Sequence, residues 1–134
     1  MLENIEHIGI AVKNAEESMK LFNALLNTKP YKEEAVISEN VRTIFYKTSE
    51  TKIELLESSN DESAIAKFIE KKGEGIHHIA FAVKDIYTEI ERLKDEGFVF
   101  VNETPKKGAD NKLIVFLHPK SSNGVLIELC QEII

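Results

Sequence analysis

Ile5-Glu6-His7-Ile8-Gly9-Ile10-Ala11-Val12 and Ile76-His77-His78-Ile79-Ala80-Phe81-Ala82-Val83 are one strand written twice, and that duplication decides the fold. Each copy runs into a polar residue suited to cap a helix, Asn14 in the first and Asp85 in the second. Met19, Phe22, Leu25 and Leu26 then recur at helical spacing until Asn27 and Pro30 stop the pattern. In the second copy Ile86, Ile90 and Leu93 do the same before Gly97.

Strand-like material follows both helices: Lys32 to Ile37, Val41 to Tyr46 and Lys52 to Leu56 in the first copy, and Phe98 to Asn102, Leu113 to His118 and Val125 to Cys130 in the second. The repeating unit is therefore βαβββ, and the predicted fold is α+β, two tandem modules making a curved, partly closed mixed sheet. Between the copies, residues Asp61 to Gly73 contain a capping residue, an Ile65/Phe68/Ile69 stripe and a glycine stop, which reads as a joining helix over about 61–72. The expected halves are about 1–60 and 73–134, sharing one core as a single domain, because 134 residues are too few for two ordinary domains.

Side chains alternate across a strand, so parity assigns each residue to a face. Ile8, Ile10 and Val12 share a bulky face that should pack on helices, as do Ile79, Phe81 and Val83. His7, Gly9 and Ala11 share the other face, as do His78, Ala80 and Ala82, and residues this small leave room for a ligand. In the closing strands Glu54 lies between Ile53 and Leu55, and Glu128 between Ile127 and Leu129. A carboxylate turned inward needs a partner, since burying it alone is costly.

Two imidazoles and two carboxylates from equivalent positions, His7, Glu54, His78 and Glu128, would supply four ligands to one divalent ion and leave two octahedral positions open. Such a set suits Co, Mn, Ni or Fe, and Zn less typically. A lone strand histidine is more often a hydrogen-bonded structural residue; it is the repetition of the pattern that points to metal. His77 falls on the bulky face, and His118 lies in another strand, where it is a candidate for the pocket rim.

Bulk composition narrows the choices. Hydrophobic residues make up 43% and charged residues 30%, a globular balance. No apolar run approaches the roughly 18 residues of a membrane span, and the N-terminus lacks the features of a signal peptide, so the expected location is cytoplasmic. Cys130 is the single cysteine and reads as a small apolar filler. The net charge of -6 argues against nucleic acid or an anionic membrane as partner. Yet from Glu103 to Lys120 the lysines Lys106, Lys107, Lys112 and Lys120 face only Glu103 and Asp110, a locally basic stretch fit for a small anionic ligand.

These residues resemble the vicinal oxygen chelate superfamily, and within it the methylmalonyl-CoA epimerase family. The likeness runs along nearly the whole chain, in His7 to Val12, Thr51 to Leu56, Gly73 to Phe81, and Phe116 to Ser121 leading into Gly124 to Leu129. It implies a metal held by His7, Glu54, His78 and Glu128, and commonly a homodimer. It further implies a CoA-linked thioester substrate whose α-proton is removed and returned through an enolate, with Glu128 and Glu54 as acid/base groups. The phosphates of the carrier would meet Lys106, Lys107, Lys112 or Lys120, with His118 nearby.

Two departures from the family pattern stand out. Some epimerases have Gln where this chain has Glu54, and some carry a glutamate base where this chain has Thr43. Lactoylglutathione lyase shares the fold and the chemistry, but places an Arg where Ala11 stands here. A metal-free binding protein of the same fold would need neither histidine nor glutamate at these positions. A ring-cleaving dioxygenase uses three ligands rather than four.

Overall fold

The computed structural model describes the chain from Met1 to Ile134. The elements follow the predicted order: β1 Ile5–Val12, α1 Ala15–Leu26, β2 Lys32–Val36, β3 Val41–Lys47, β4 Lys52–Ser58, α2 Ala64–Lys72, β5 Gly75–Ala82, α3 Ile86–Asp95, β6 Lys106–Lys107, β7 Lys112–Leu117 and β8 Ile127–Glu132. The βαβββ unit thus occurs twice, as predicted. The first four strands lie in the order β2-β3-β4-β1 and the last four in the equivalent order β5-β8-β7-β6. Both sets are mixed: β1 runs parallel to β4 and β5 to β8, while the remaining pairs are antiparallel.

The chain divides into two compact units, His7–His77 and a second made of Met1–Glu6 with His78–Ile134. In the first unit Ile10 and Val12 pack with Ile44, Tyr46, Ile53 and Leu55 against Met19, Phe22 and Leu26 of α1, so the bulky parity class does face the helix. In the second, Phe81 and Val83 join Val115, Leu117 and Leu129 against Ile86, Ile90 and Leu93 of α3. Full burial of a side chain such as Ile44, Leu55, Ile86 or Leu129 stabilises the fold by roughly 1.5–3 kcal/mol.

Both module helices begin as the sequence predicts. Asn14 Oδ1 accepts the Glu17 N–H at 3.0 Å, and Asp85 Oδ1 accepts those of Tyr87 and Thr88 at 3.1 and 3.2 Å. The joining helix is capped by Ser63, whose Oγ accepts the Ala66 N–H at 3.0 Å. That helix ends at Gly73, where φ is +80°.

The structure departs from the sequence reading in three places. No regular strand forms over 98–102; Phe100 makes one isolated bridge to Leu117, and the first strand after α3 is the two-residue β6. The small-residue face of β1 is not an open cavity at its far end: Ala11 is fully buried beneath Ile65 and Phe68 of α2, together with Val41 and Leu56. Ala80 is likewise covered, packed with Ile114, Phe116 and Cys130. Small side chains here admit close packing of neighbours. The third difference is that Met1–Glu6 belongs with the second half: Glu3 N–H donates to Ala82 O at 2.8 Å and Ala82 N–H to Asn4 O at 2.9 Å.

Candidate metal centre

In the first unit β4 lies between β1 and β3, and the register sets Glu54 opposite Gly9 on one side and Phe45 on the other. Parity then turns Glu54 to the face that carries His7, away from α1. The two side chains meet there, with His7 Nδ1 3.1 Å from Glu54 Oε2. Both residues are only 5% exposed. Thr43 is on the same face of β3 and is almost fully buried.

The second unit repeats the arrangement. Glu128 of β8 sits opposite Ala80 of β5 and Phe116 of β7, and its Oε1 lies 3.3 Å from His78 Nε2. His78 and Glu128 are also 5% exposed. The Phe116 ring meets the His78 imidazole edge-on, with ring centroids 5.7 Å apart. Each half therefore buries one imidazole beside one carboxylate, at positions related by the internal duplication. The sequence reading assigns all four residues to one ion; what the structure shows is each carboxylate beside the imidazole of its own half.

These spacings suit metal ligation. Two ligand atoms at about 2.1 Å from an ion and at right angles lie about 3 Å apart. An imidazole nitrogen is a neutral donor, and a carboxylate adds the anionic charge that a divalent ion requires.

The other histidines have different settings. His77 contacts the Phe68 ring edge-on at 5.0 Å, and burial pushes its imidazole down to about 4, so it is neutral at ordinary pH. His118 is exposed; its Nδ1 accepts the Lys120 N–H at 3.2 Å and so caps the short 3-10 turn Pro119–Ser121. Cys130 is buried, with Sγ 3.5 Å from Phe81 O, consistent with a packing role.

The basic segment divides by environment. Lys106 and Lys107 are exposed on β6, and Lys120 is exposed in its turn. Lys112 begins β7 and is 8% exposed, with its ammonium 3.9 Å from Glu132. The sequence treats Lys112 as one of several loop lysines; its burial in a strand is new. No helix in the structure is long and apolar enough to cross a membrane.

The profile of the Glyoxalase/Bleomycin resistance protein/Dioxygenase superfamily matches residues 6–116, and the chain belongs to that superfamily. Among its relatives, the mitochondrial methylmalonyl-CoA epimerase of Dictyostelium discoideum is 40% identical over 93% of this chain and 76% of its own. The ethylmalonyl-CoA/methylmalonyl-CoA epimerase of Cereibacter sphaeroides is 38% identical over 98% of this chain and 99% of its own. A solved structure of methylmalonyl-CoA epimerase in complex with methylmalonyl-CoA and NH4+ superimposes with a TM-score of 0.92 at 32% identity, covering 98% of this chain and 96% of that one.

Proposed function

We propose that this chain is a methylmalonyl-CoA epimerase, an isomerase that inverts the α-carbon of a 2-methylmalonyl thioester. The observation that carries the reading is the duplicated pair of buried imidazole and carboxylate, His7 with Glu54 and His78 with Glu128, in a chain similar over its whole length to epimerases. In this proposal those four residues hold one divalent ion, of Co, Mn, Ni, Fe or Zn. When bound, the ion would act as a Lewis acid that draws negative charge from the substrate's oxygens.

The chain's own part is proton transfer. Glu128 takes the α-proton: the C–H bond breaks, a carboxyl O–H forms, and the electron pair delocalises toward the thioester oxygen as an enolate. Glu54 enters the step as the carboxylic acid, gives its O–H proton to the opposite face of that carbon and is left as the carboxylate; whichever carboxyl carries the proton is detached from the ion, and the roles reverse for the other enantiomer. Thr43, buried in β3, stands where some epimerases carry a glutamate base, and this reading gives the proton transfer to Glu128 and Glu54.

Burial favours this reading over a lactoylglutathione lyase. Ala11 lies sealed beneath α2, so the position at which that enzyme presents a cation is here an apolar contact. The homodimer implied by the family resemblance and the cytoplasmic location expected from the sequence belong to the same proposal; sedimentation equilibrium tests the first, with a monomer mass refuting it.

Deuterium exchange at the α-carbon of methylmalonyl-CoA, followed by NMR with added Co or Mn, tests the function. Exchange with racemisation is expected. Isomerisation of the methylglyoxal–glutathione hemithioacetal without any exchange in methylmalonyl-CoA would overturn the assignment.

A further inference from the structure

The internal duplication sets a phenylalanine across from each site carboxylate. Phe45 of β3 is paired with Glu54, and Phe116 of β7 with Glu128. Paired residues on neighbouring strands share a face, so both rings stand on the side that carries the imidazole of their own half. In their cover the two rings differ.

Phe45 is fully buried. Beyond its strand lies β2, five residues long, whose register brings Lys32 directly beside it. The Lys32 ammonium lies 5.3 Å from the ring centroid, and the Tyr31 ring packs on Phe45 with centroids 5.9 Å apart. In the second half β6 has only two residues, paired with Ile114 and Leu113, so it ends before reaching Phe116. Beside Phe116 runs the irregular segment around Val101, whose N–H donates to Phe116 O at 2.9 Å. The Phe116 ring is left half-buried, while Ala80, Ile114 and Cys130 on the same face are buried.

We propose that the uncovered part of the Phe116 ring is the wall on which the α-alkyl group of the substrate packs, and that it sets the largest group accepted. The inference rests on the epimerase reading and narrows its substrate range. Of the groups on the reacting carbon, the thioester and the carboxylate are polar, and the hydrogen is the one that Glu128 takes. The remaining substituent is a hydrocarbon, which gains only by leaving water. It lies one bond from the carbon that Glu128 addresses. Phe116 is set across from Glu128 and meets the His78 ring with centroids 5.7 Å apart, so it presents an apolar surface at that place.

A wall of this kind discriminates by size, and a methylene too many in a fitted apolar pocket changes kcat/KM by roughly 10–200-fold. The test is therefore a ratio. Values of kcat/KM for ethylmalonyl-CoA and methylmalonyl-CoA are measured by α-deuterium exchange on the wild type, Phe116→Leu, Phe116→Trp and Phe45→Leu, with thermal melts to establish that each folds. Phe116→Leu should raise the ethyl-to-methyl ratio about tenfold and Phe116→Trp should lower it by a similar factor. Phe45→Leu, in a position sealed by Lys32 and Tyr31, should leave the ratio within about twofold. Both substrates meet the same protein, so a variant that merely disturbs His78, Glu128 or the ion content lowers both rates together and the ratio stays put. A ratio unmoved by the Phe116 variants, or moved as far by Phe45→Leu, would refute the wall.

Binding gives a second reading that needs no turnover. Calorimetric titration with propionyl-CoA and butyryl-CoA, which carry a methyl and an ethyl group on the α-carbon, should show Phe116→Leu shifting relative affinity toward butyryl-CoA. Exchange by the wild type with neither ratio altered would overturn the wall and leave the epimerase assignment standing. The predicted shift in binding without any exchange would do the reverse. A wild-type protein that neither binds these thioesters nor exchanges the α-proton would overturn both.

Discussion

The carboxylate of Glu57 accepts the backbone N–H of Ala15 at 2.8 Å, so the last strand of the first half holds the start of that half's helix. The second half repeats the contact with a neutral group: Gln131 Oε1 accepts the Ile86 N–H at 2.7 Å. Each acceptor stands three residues after its half's glutamate, Glu54 or Glu128, and so falls on the opposite face of the strand. One strand thus offers a carboxylate to the candidate centre and anchors a helix behind it.

This contact predicts a graded loss of stability. Glu57→Ala leaves a helix-start N–H unpaired and removes one of the acids around Arg42, which also engages Glu16 and Glu33. It should cost about 1–2 kcal/mol in urea denaturation. Glu57→Gln, the form used by the second half, should cost less than half as much; equal losses for the two variants would contradict the account.

Metal content provides the direct check on the four ligands. The purified protein, loaded with Co or Mn and desalted, should hold about one ion per chain, and His7→Ala or Glu128→Ala should each lower this to a small fraction. Chelation should lower the melting temperature of wild type, because a ligand at about 100 times its Kd stabilises a folded protein by roughly 2.7 kcal/mol. Unchanged metal content in both variants would remove the basis for the centre.

A pH effect should come from Glu89 of α3, whose carboxylate is 6% exposed and bonds to the Met1 amino group and to Arg92 Nε. The bond from the amino group holds this carboxyl below its ordinary value of 4.5, with Arg92 adding to the effect and burial opposing it. A lowered carboxylate pKa gives stability that is complete above the unfolded-state value and is lost as pH falls below about 4.5 through the folded-state value. Glu89→Gln should therefore be less stable than wild type at pH 7, with the gap closing in denaturation curves taken from pH 5 to pH 3. A gap constant across that range would show that the ion pair is not its source.

Gly108 makes a packing prediction. A Cβ added there would lie 2.7 Å from Ile114 Cδ1, a contact that only movement of the isoleucine end can relieve. Gly108→Ala should destabilise by about 1 kcal/mol, and Ile114→Val in the same chain should recover part of that. Strict additivity of the two changes would place the strain elsewhere.

Most of the architecture was legible because the sequence states it twice. His7 and His78 begin equivalent strand faces, Asn14 and Asp85 cap equivalent helices, and parity turned Glu54 and Glu128 to their histidines. Where the pattern was local and weak, the reading missed. The alternating apolar run near Val99 and Val101 resembles a strand, yet both residues are exposed and only Phe100 bridges to Leu117. The small residues of β1 suggested a void because composition shows the room left by a side chain but not the helix that arrives to fill it. Lys112 looked like its neighbours because charge does not reveal burial, although its parity with Ile114 and Phe116 was available. The acceptors at Glu57 and Gln131 also carried a signal, as polar residues recurring at one offset after each glutamate.

Glu3 and Asn4 form their backbone bonds with Ala82, and Met1 reaches Glu89, so this segment is tied to partners far along the sequence. The His7–His77 unit, by comparison, closes its strands and helices within one continuous stretch. Bringing distant segments together costs loop-closure entropy before their bonds repay it, and contacts of that kind slow folding. The compact unit that contains Met1–Glu6 is discontinuous in sequence, and the contact order it adds falls on the half that holds His78 and Glu128.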